Sequence, residues 1–413
     1  MHERVTQLCL IAAGVAVLAG CAGDAGGAAD DTVVRDSAGI RIVENGATDP
    51  QLLTLNSEPV IEIGEMEGAP EYMLHDVQHV TRLSDGTIVI ANNGSSEVRY
   101  YDEAGRHLRS SGRRGGGPGE FEYIGYMRRL AGDTIMIWDL RNRRVTLLGP
   151  DGAHVRDFTP ESATGQVMTG VEAATEEGTL LARSSRSFPA GSATFHRDTV
   201  GYSVMSADSV RELPRYLGME GSIRVQESAG NIMSVMISQV AFGRTAHAAA
   251  GRDGFYIGSS DTYEVHQYDA AGALRGIIRS AHVPEQPVTG ELFRAWGDAS
   301  LERRAQFAAE RGEEFDEASA RKSIEESERA PSVPLYADLI ADQAGGVWVK
   351  DYVMPGPDGR PERWTIFAED GTRRGAVDLP PRFRPMYVDG DTVAGVITDE
   401  YDVQYVRVYT LSG

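Results

Sequence analysis

One pattern recurs six times along the chain, and it decides what the chain can become. A turn bearing Gly or Asp leads into an apolar strand, a polar residue, a second strand and a closing turn at Gly. The clearest copy runs from Asp85-Gly86-Thr87 through IVIANNGSSEVRYYDEAG to Gly105, the next from Gly132-Asp133-Thr134 through IMIWDLRNRRVTLLGPDG to Gly152. From Thr to closing Gly both span 18 residues. Further copies begin at Gly178, Gly254, Gly346 and Gly390. A two-stranded hairpin cannot bury its apolar face alone, so such units must stack on one another.

A strand follows most closing glycines (HLRSSG, HVRDF, LRGIIR, RRGAVDL), and another precedes most copies, as in HVTRL and YMRRL. Each unit is therefore four antiparallel strands. Successive turns at Gly86, Gly132 and Gly178 are 46 residues apart, the period of a propeller blade. The expected fold is all-β, a six-bladed β-propeller over residues 39–413. The sixth unit stops at Gly413 without an outer strand, while Pro59–Ile63 is a strand with no blade of its own. Residues 59–63, with Val60 and Ile61 buried, are expected to close the ring against about 403–411 and so remove two open edges.

The beginning of the chain reads as an address. Leu8–Leu18 is an apolar run too short for a mature membrane helix, and it ends in Leu18-Ala19-Gly20-Cys21. Small residues before a cysteine resemble the lipobox of bacterial lipoproteins. The resemblance implies a signal peptide over 1–20, lipidation of Cys21, and attachment to the cell envelope by lipid. Ala22 in place of Asp implies the outer membrane where there are two. Residues 21–38, small and polar at first, are expected to be a flexible tether.

The strings IVIANNGSSEVRYYD and IMIWDLRNRRVTLL resemble NHL-type repeats, and GRRGGGPGEF resembles a blade crossing of that class. The whole resembles bacterial six-bladed β-propeller lipoproteins. That resemblance implies a non-enzymatic binding or scaffold protein for a protein, peptide or carbohydrate partner. The alternative it leaves is a metal-dependent propeller hydrolase or lyase acting at the channel mouth.

Two intervals exceed the blade period. Gly178 to Gly254 is 76 residues and holds a strand-rich excursion over 220–245 with no assigned place. Gly254 to Gly346 is 92 residues. Its middle, about 289–330, has helical composition, with Leu301, Ala305 and Ala308 on one stripe. It is expected to be a helical insertion between blades four and five, either a lid or an ornament.

Candidate functional residues come from the repeat. Six residues beyond each turn stand Asn92, Asp139, Ser184, Ser260 and Asp351, with Thr398 or Asp399 in the sixth copy. In a ring, equivalent positions converge at one end of the axis. Their oxygens would then bind a polar ligand, or calcium or another divalent cation. The other reading is that they bond backbone groups of their own turns. Metal-dependent propellers of the gluconolactonase type hold Glu, Asn and Asp ligands at such places, and this set lacks the Glu. His75 and His79 read as two unlinked surface histidines. Acids outnumber bases 61 to 40, which argues against nucleic acid as a partner.

Overall fold

In a computed structural model, residues 31–160, 168–184, 195–206, 208–228, 231–310, 312–354 and 360–412 are described. The segment expected to be a signal peptide, Cys21 and the first part of the expected tether lie outside them. Six four-stranded antiparallel blades surround a central axis. The first strand of each blade is the innermost: Val77–Arg82, Ile124–Arg129, Met168–Ala174, Ala246–Ala250, Asp338–Ala341 and Phe383–Asp389. Neighbouring first strands touch one another all the way round the ring.

Blade-to-blade packing explains the composition of the repeat. Every second strand is covered on both faces by a neighbouring blade, so it need not alternate. All five residues of Ile88–Asn92 and of Ile135–Asp139 are buried. The core is accordingly divided into six seams. One joins blades one and two through Val89, Tyr100, Phe121 and Ile137, and another joins five and six through Trp348, Trp364, Val393 and Tyr409.

Closure occurs where it was expected. Strand Ile61–Ile63 pairs antiparallel with Gln404–Ser412, aligning Ile63 with Val406 and Ile61 with Val408. Ile63 is 1% exposed and sits among Val77, Ile88, Tyr101 and Val406 in the seam of blades six and one. Val60, expected inside, is 55% exposed, because the pleat of this short strand turns Ile63 inward.

The N-terminal contribution extends beyond that strand. Ile40–Asn45 pairs in parallel with the outer strand of blade four, Leu274–Ser280. The chain then bridges blade five, where Leu53 N–H donates to Ala376 O at 2.7 Å, before Thr54–Leu55 reaches blade six. Residues 40–63 thus lace the rims of three blades together. Val33–Ser37, the end of the expected tether, is a strand instead, paired with Ile40–Asn45 through a two-residue turn. Ala38 and Gly39 both have positive φ there, which suits the turn to the twist of a hairpin.

Three excursions interrupt the blades, and all leave from one end of the ring. In an antiparallel blade the end of strand two, the start of strand three, the end of strand four and the start of the next strand one share an edge. Phe195–Val200 departs between strands two and three of blade three. Tyr216–Ser228 and Asn231–Gln239 depart between blades three and four, and form with it a three-stranded accessory sheet. That sheet accounts for the unplaced excursion. The helical insertion departs between blades four and five as α1 (Gly290–Glu310) and α2 (Glu317–Glu325). Asp316 caps α2 by accepting from Ser319 N–H at 3.0 Å. Among the described residues no helix is long and apolar enough to cross a membrane. The opposite end of the ring carries short hairpin turns.

If closure depends on Ile63, Ile63→Ala should cost about 2–4 kcal/mol of stability while Val60→Ala stays within about 0.5 kcal/mol. Chemical denaturation of the two variants measures the contrast.

Candidate functional site

The face bearing the excursions is built as a unit. Phe293 and Trp296 of α1 stack at 5.9 Å and rest on Phe242, beside Val240, Ala330 and Tyr352. Ala241 N–H donates to Glu328 O and Ala330 N–H to Ala241 O, so helical insertion and accessory sheet hold each other. The accessory sheet is tied to blade four by alternating charges. Glu220 accepts from Arg244 Nη2 at 2.5 Å and from Arg197 Nη1 at 2.7 Å, and Arg244 Nη1 lies 3.3 Å from Asp261. Burial opposes charge on Glu220, yet the guanidiniums keep its carboxyl below the usual range. The helical insertion is therefore packed on the elaborated end of the ring, not on its side.

The five repeated polar residues lie at this end, but in the loops rather than in the channel. They terminate second strands, one layer out from the axis. Asp139 is fully buried and accepts from the N–H groups of Glu122, Tyr123, Arg141 and Asn142 and from Asn142 Nδ2. Five donors occupy both of its oxygens. Asn92 accepts from His75 N–H at 2.8 Å, and Ser260 accepts from Thr245 N–H at 3.0 Å. Ser184 donates to Gly201 O at 3.1 Å. Asp399 accepts from Tyr401 and Val403 N–H groups. The recurring position is a clasp. In blades one, two and four it fastens the end of the second strand to the approach of the innermost strand. No hydrogen bond joins one member of the set to another. Among the described residues no three His, Cys, Asp or Glu side chains gather as metal ligands.

Asp351 differs from the others. Among the described residues it accepts only from Thr365 Oγ1, at 3.3 Å, and Thr365 Oγ1 also lies 3.3 Å from His282 Nε2. Ser280 Oγ is 2.7 Å from His282 Nδ1. Burial pushes the Asp351 carboxyl up to about 6 and the His282 imidazole down to about 4. This relay lies in the seam of blades four and five and holds both groups neutral in mildly acidic solution.

The channel is lined by residues of the innermost strands, which the repeat did not single out. A cavity of about 270 Å³ is bounded by Gln78, His79, Tyr126, Arg128, Glu172 and Arg384, among others. Blade four leaves room for it, because its innermost strand reads AHAAA. His79 is thus a channel residue rather than a surface one, while His75 is exposed. The His79 Nε2 atom is 3.2 Å from Gly125 O, which requires the proton on Nε2. Burial, reinforced by the nearby Arg384, lowers its pKa to about 4, so the ring is neutral at pH 7.

Arg128 stops the channel at the turn face. Its guanidinium crosses from blade two to Ala250 O and Gly251 O of blade four, at 3.3 and 2.9 Å, and to Gln343 Oε1 of blade five at 2.5 Å. Beyond it remains a void of about 10 Å³, room for one water at most. At the other end Asp338 marks an open rim, with its side chain 60% exposed. The signal for these residues was present in HVTRL and YMRRL, where histidine and arginine interrupt otherwise apolar first strands.

Exposed apolar side chains are also sorted by face. Leu140, Leu217, Phe307, Val353 and Tyr401 belong to connections or excursions of the elaborated face, Tyr401 being 69% exposed. The other exposed large apolar residues lie in those connections, at the start of the accessory sheet, or along the outer rim. None of those described lies in a turn of the opposite face.

No family model and no curated protein matches the chain. Among solved structures, a protein of Bacteroides fragilis described as exported covers 90% of this chain and 100% of its own, at 9% identity and a TM-score of 0.46. A member of the DUF4221 family from Bacteroides vulgatus covers 88% of this chain and 100% of its own, at 9% identity and a TM-score of 0.45. A gluconolactonase from Xanthomonas campestris covers 89% of this chain and 98% of its own, at 11% identity and a TM-score of 0.38. These are similarities of fold.

Two outcomes follow from the clasp and the relay. Asp139→Ala strands four backbone N–H groups, so it should cost about 2–4 kcal/mol in denaturant unfolding. Asp351 has its folded-state pKa raised above the unfolded value, so the folded state binds the extra proton and stability falls as pH rises through about 6. Asp351→Asn keeps an acceptor for Thr365. It should raise stability at pH 8 by on the order of 1–2 kcal/mol, with the gain disappearing near pH 4. Thermal unfolding across that range measures it.

Proposed function

We propose that this protein is a lipid-anchored binding propeller of the cell envelope that engages a protein, peptide or carbohydrate partner with its elaborated face. The observation that carries this reading is the sorting of the surface. Every excursion, and every exposed large apolar side chain that lies in a loop rather than along the rim or in the accessory sheet, belongs to one end of the ring. Apolar groups gathered on one face favour association, because contact removes them from water. The opposite end has hairpin turns and a channel stopped by Arg128. Asn92, Asp139 and Ser260 are occupied by backbone donors and Ser184 by a backbone carbonyl, which leaves the face itself, not those residues, as the surface that meets a partner.

The anchor rests on Leu18-Ala19-Gly20-Cys21 after the apolar run Leu8–Leu18. More than one acyl chain is needed to hold a protein of this size stably on a membrane, and lipidation of an N-terminal cysteine supplies them.

One set of strains tests both parts. Cys21→Ala should move the protein from the membrane fraction to the soluble fraction. Photo-crosslinkable residues placed at Phe307 or Tyr401 should capture a discrete adduct in intact cells, whereas one at Glu103, on the turn face, should not. Equal capture from Glu103, or no adduct from either probe on the elaborated face, would reject the binding face. Unchanged membrane association of the Cys21→Ala protein would reject the anchor.

A further inference from the structure

Among the described residues the channel rim holds an arginine with no carboxylate partner. Arg384 lies near the start of its innermost strand, toward the open rim, and Nη2 donates to Val77 O at 2.7 Å. Among the described residues its other N–H groups have no acceptor, and no carboxylate stands within ion-pair distance. The carboxylates of the lining are engaged elsewhere. Glu172 is held by Arg183 Nε at 2.9 Å, and Asp338 lies at the exposed rim, 3.6 Å from His247. Asp76, whose charge acts on Arg384 without an ion pair, accepts from Gln78 Nε2 at 2.6 Å. Arg384 is solvent-exposed at this rim, and the desolvation of its inward side lowers its pKa against the opposing pull of Asp76 and Tyr123. The second arginine of the channel, Arg128, bonds only carbonyl oxygens and an amide, so it does not neutralise the cavity.

The cavity also has an apolar part. Val80, Met127, Ala248, Leu339 and Met386 line it together with the polar groups. About 270 Å³ is the space of a small organic molecule, not of a polymer. Arg128 closes the far end, so such a molecule would enter from the elaborated face and meet Arg384 on the way in. We propose that the central channel is a binding site for a small organic carboxylate, whose carboxylate pairs with the Arg384 guanidinium while its apolar part lies against Ala248, Leu339 and Met386. A planar carboxylate accepts two parallel N–H bonds from guanidinium, a geometry that a neutral amide cannot reproduce.

Calorimetric titration of the full-length protein with benzoate, succinate and inorganic phosphate, and with benzamide as the neutral counterpart of benzoate, tests this. At least one of the two carboxylates should bind saturably. If benzoate binds, it should do so at least about tenfold more tightly than benzamide. Arg384→Gln should weaken carboxylate binding by about tenfold or more, while Arg384→Lys, which keeps the charge, retains a measurable part of it. Circular dichroism establishes that each variant is folded. If Arg384→Gln does not fold, the loss of affinity between wild type and Arg384→Lys decides, since a point charge lacks the planar fork. The proposal is overturned if benzoate and benzamide bind equally, or if folded Arg384 variants bind carboxylate as wild type does. It is also overturned if phosphate alone binds, or if nothing binds at about 10 mM.

Discussion

A ring of blades built from one chain leaves two edges that must find each other, and here Ile61–Ile63 joins them by pairing with Gln404–Ser412. Everything else in the architecture leans on that ladder. Each blade is too thin to have a core of its own, so its apolar faces are buried only against its neighbours. Were the ring open, the seam of blades six and one would expose Val77, Ile88, Tyr101 and Val406 to water. The upstream segment reinforces the joint. Asn45 is buried between blades four and five, donating to Arg279 O and Gly371 O and accepting from Arg373 N–H. Residues that precede the first blade thus bind the rims of the last three.

The same geometry creates the channel and gives it its character. An innermost strand is paired on one side only, so backbone groups on its free edge face the axis, where a purely apolar lining would leave them unsatisfied. Arg128 and Arg384 each donate to such carbonyl oxygens, at Ala250, Gly251 and Val77. The two differ in what remains. Arg128 commits both of its terminal nitrogens to spanning the ring and acts as a stopper. Arg384 makes one such bond at the exposed rim of the cavity.

Repetition has a specific meaning in such a fold. What recurs from blade to blade serves the blade, because every copy has the same turn to complete. Asp139 with its five donors, Asn92 with His75 N–H and Ser260 with Thr245 N–H are versions of one clasp. What departs from the repeat has no such duty. His79, Arg128 and Arg384 occupy innermost strands at positions that no periodic count selects, and they are the groups that give the channel a chemistry. Periodicity therefore led to the structural residues and away from the cavity.

Local patterns in the sequence determined the strands, their grouping in fours, the number of blades, the strand that closes the ring and the helical insertion. These depend on turn residues and on apolar runs that neighbouring residues enforce. They did not reveal Val33–Ser37 or the parallel pairing of Ile40–Asn45, because a parallel neighbour 235 residues away leaves no mark at the strand itself. Nor could they assign Asp139 to a clasp and Arg384 to a cavity. Both are charged residues at apolar strands, and only the closed ring decides that Asp139 meets backbone donors in a neighbouring loop while Arg384 is carried to the channel rim with a single carbonyl acceptor.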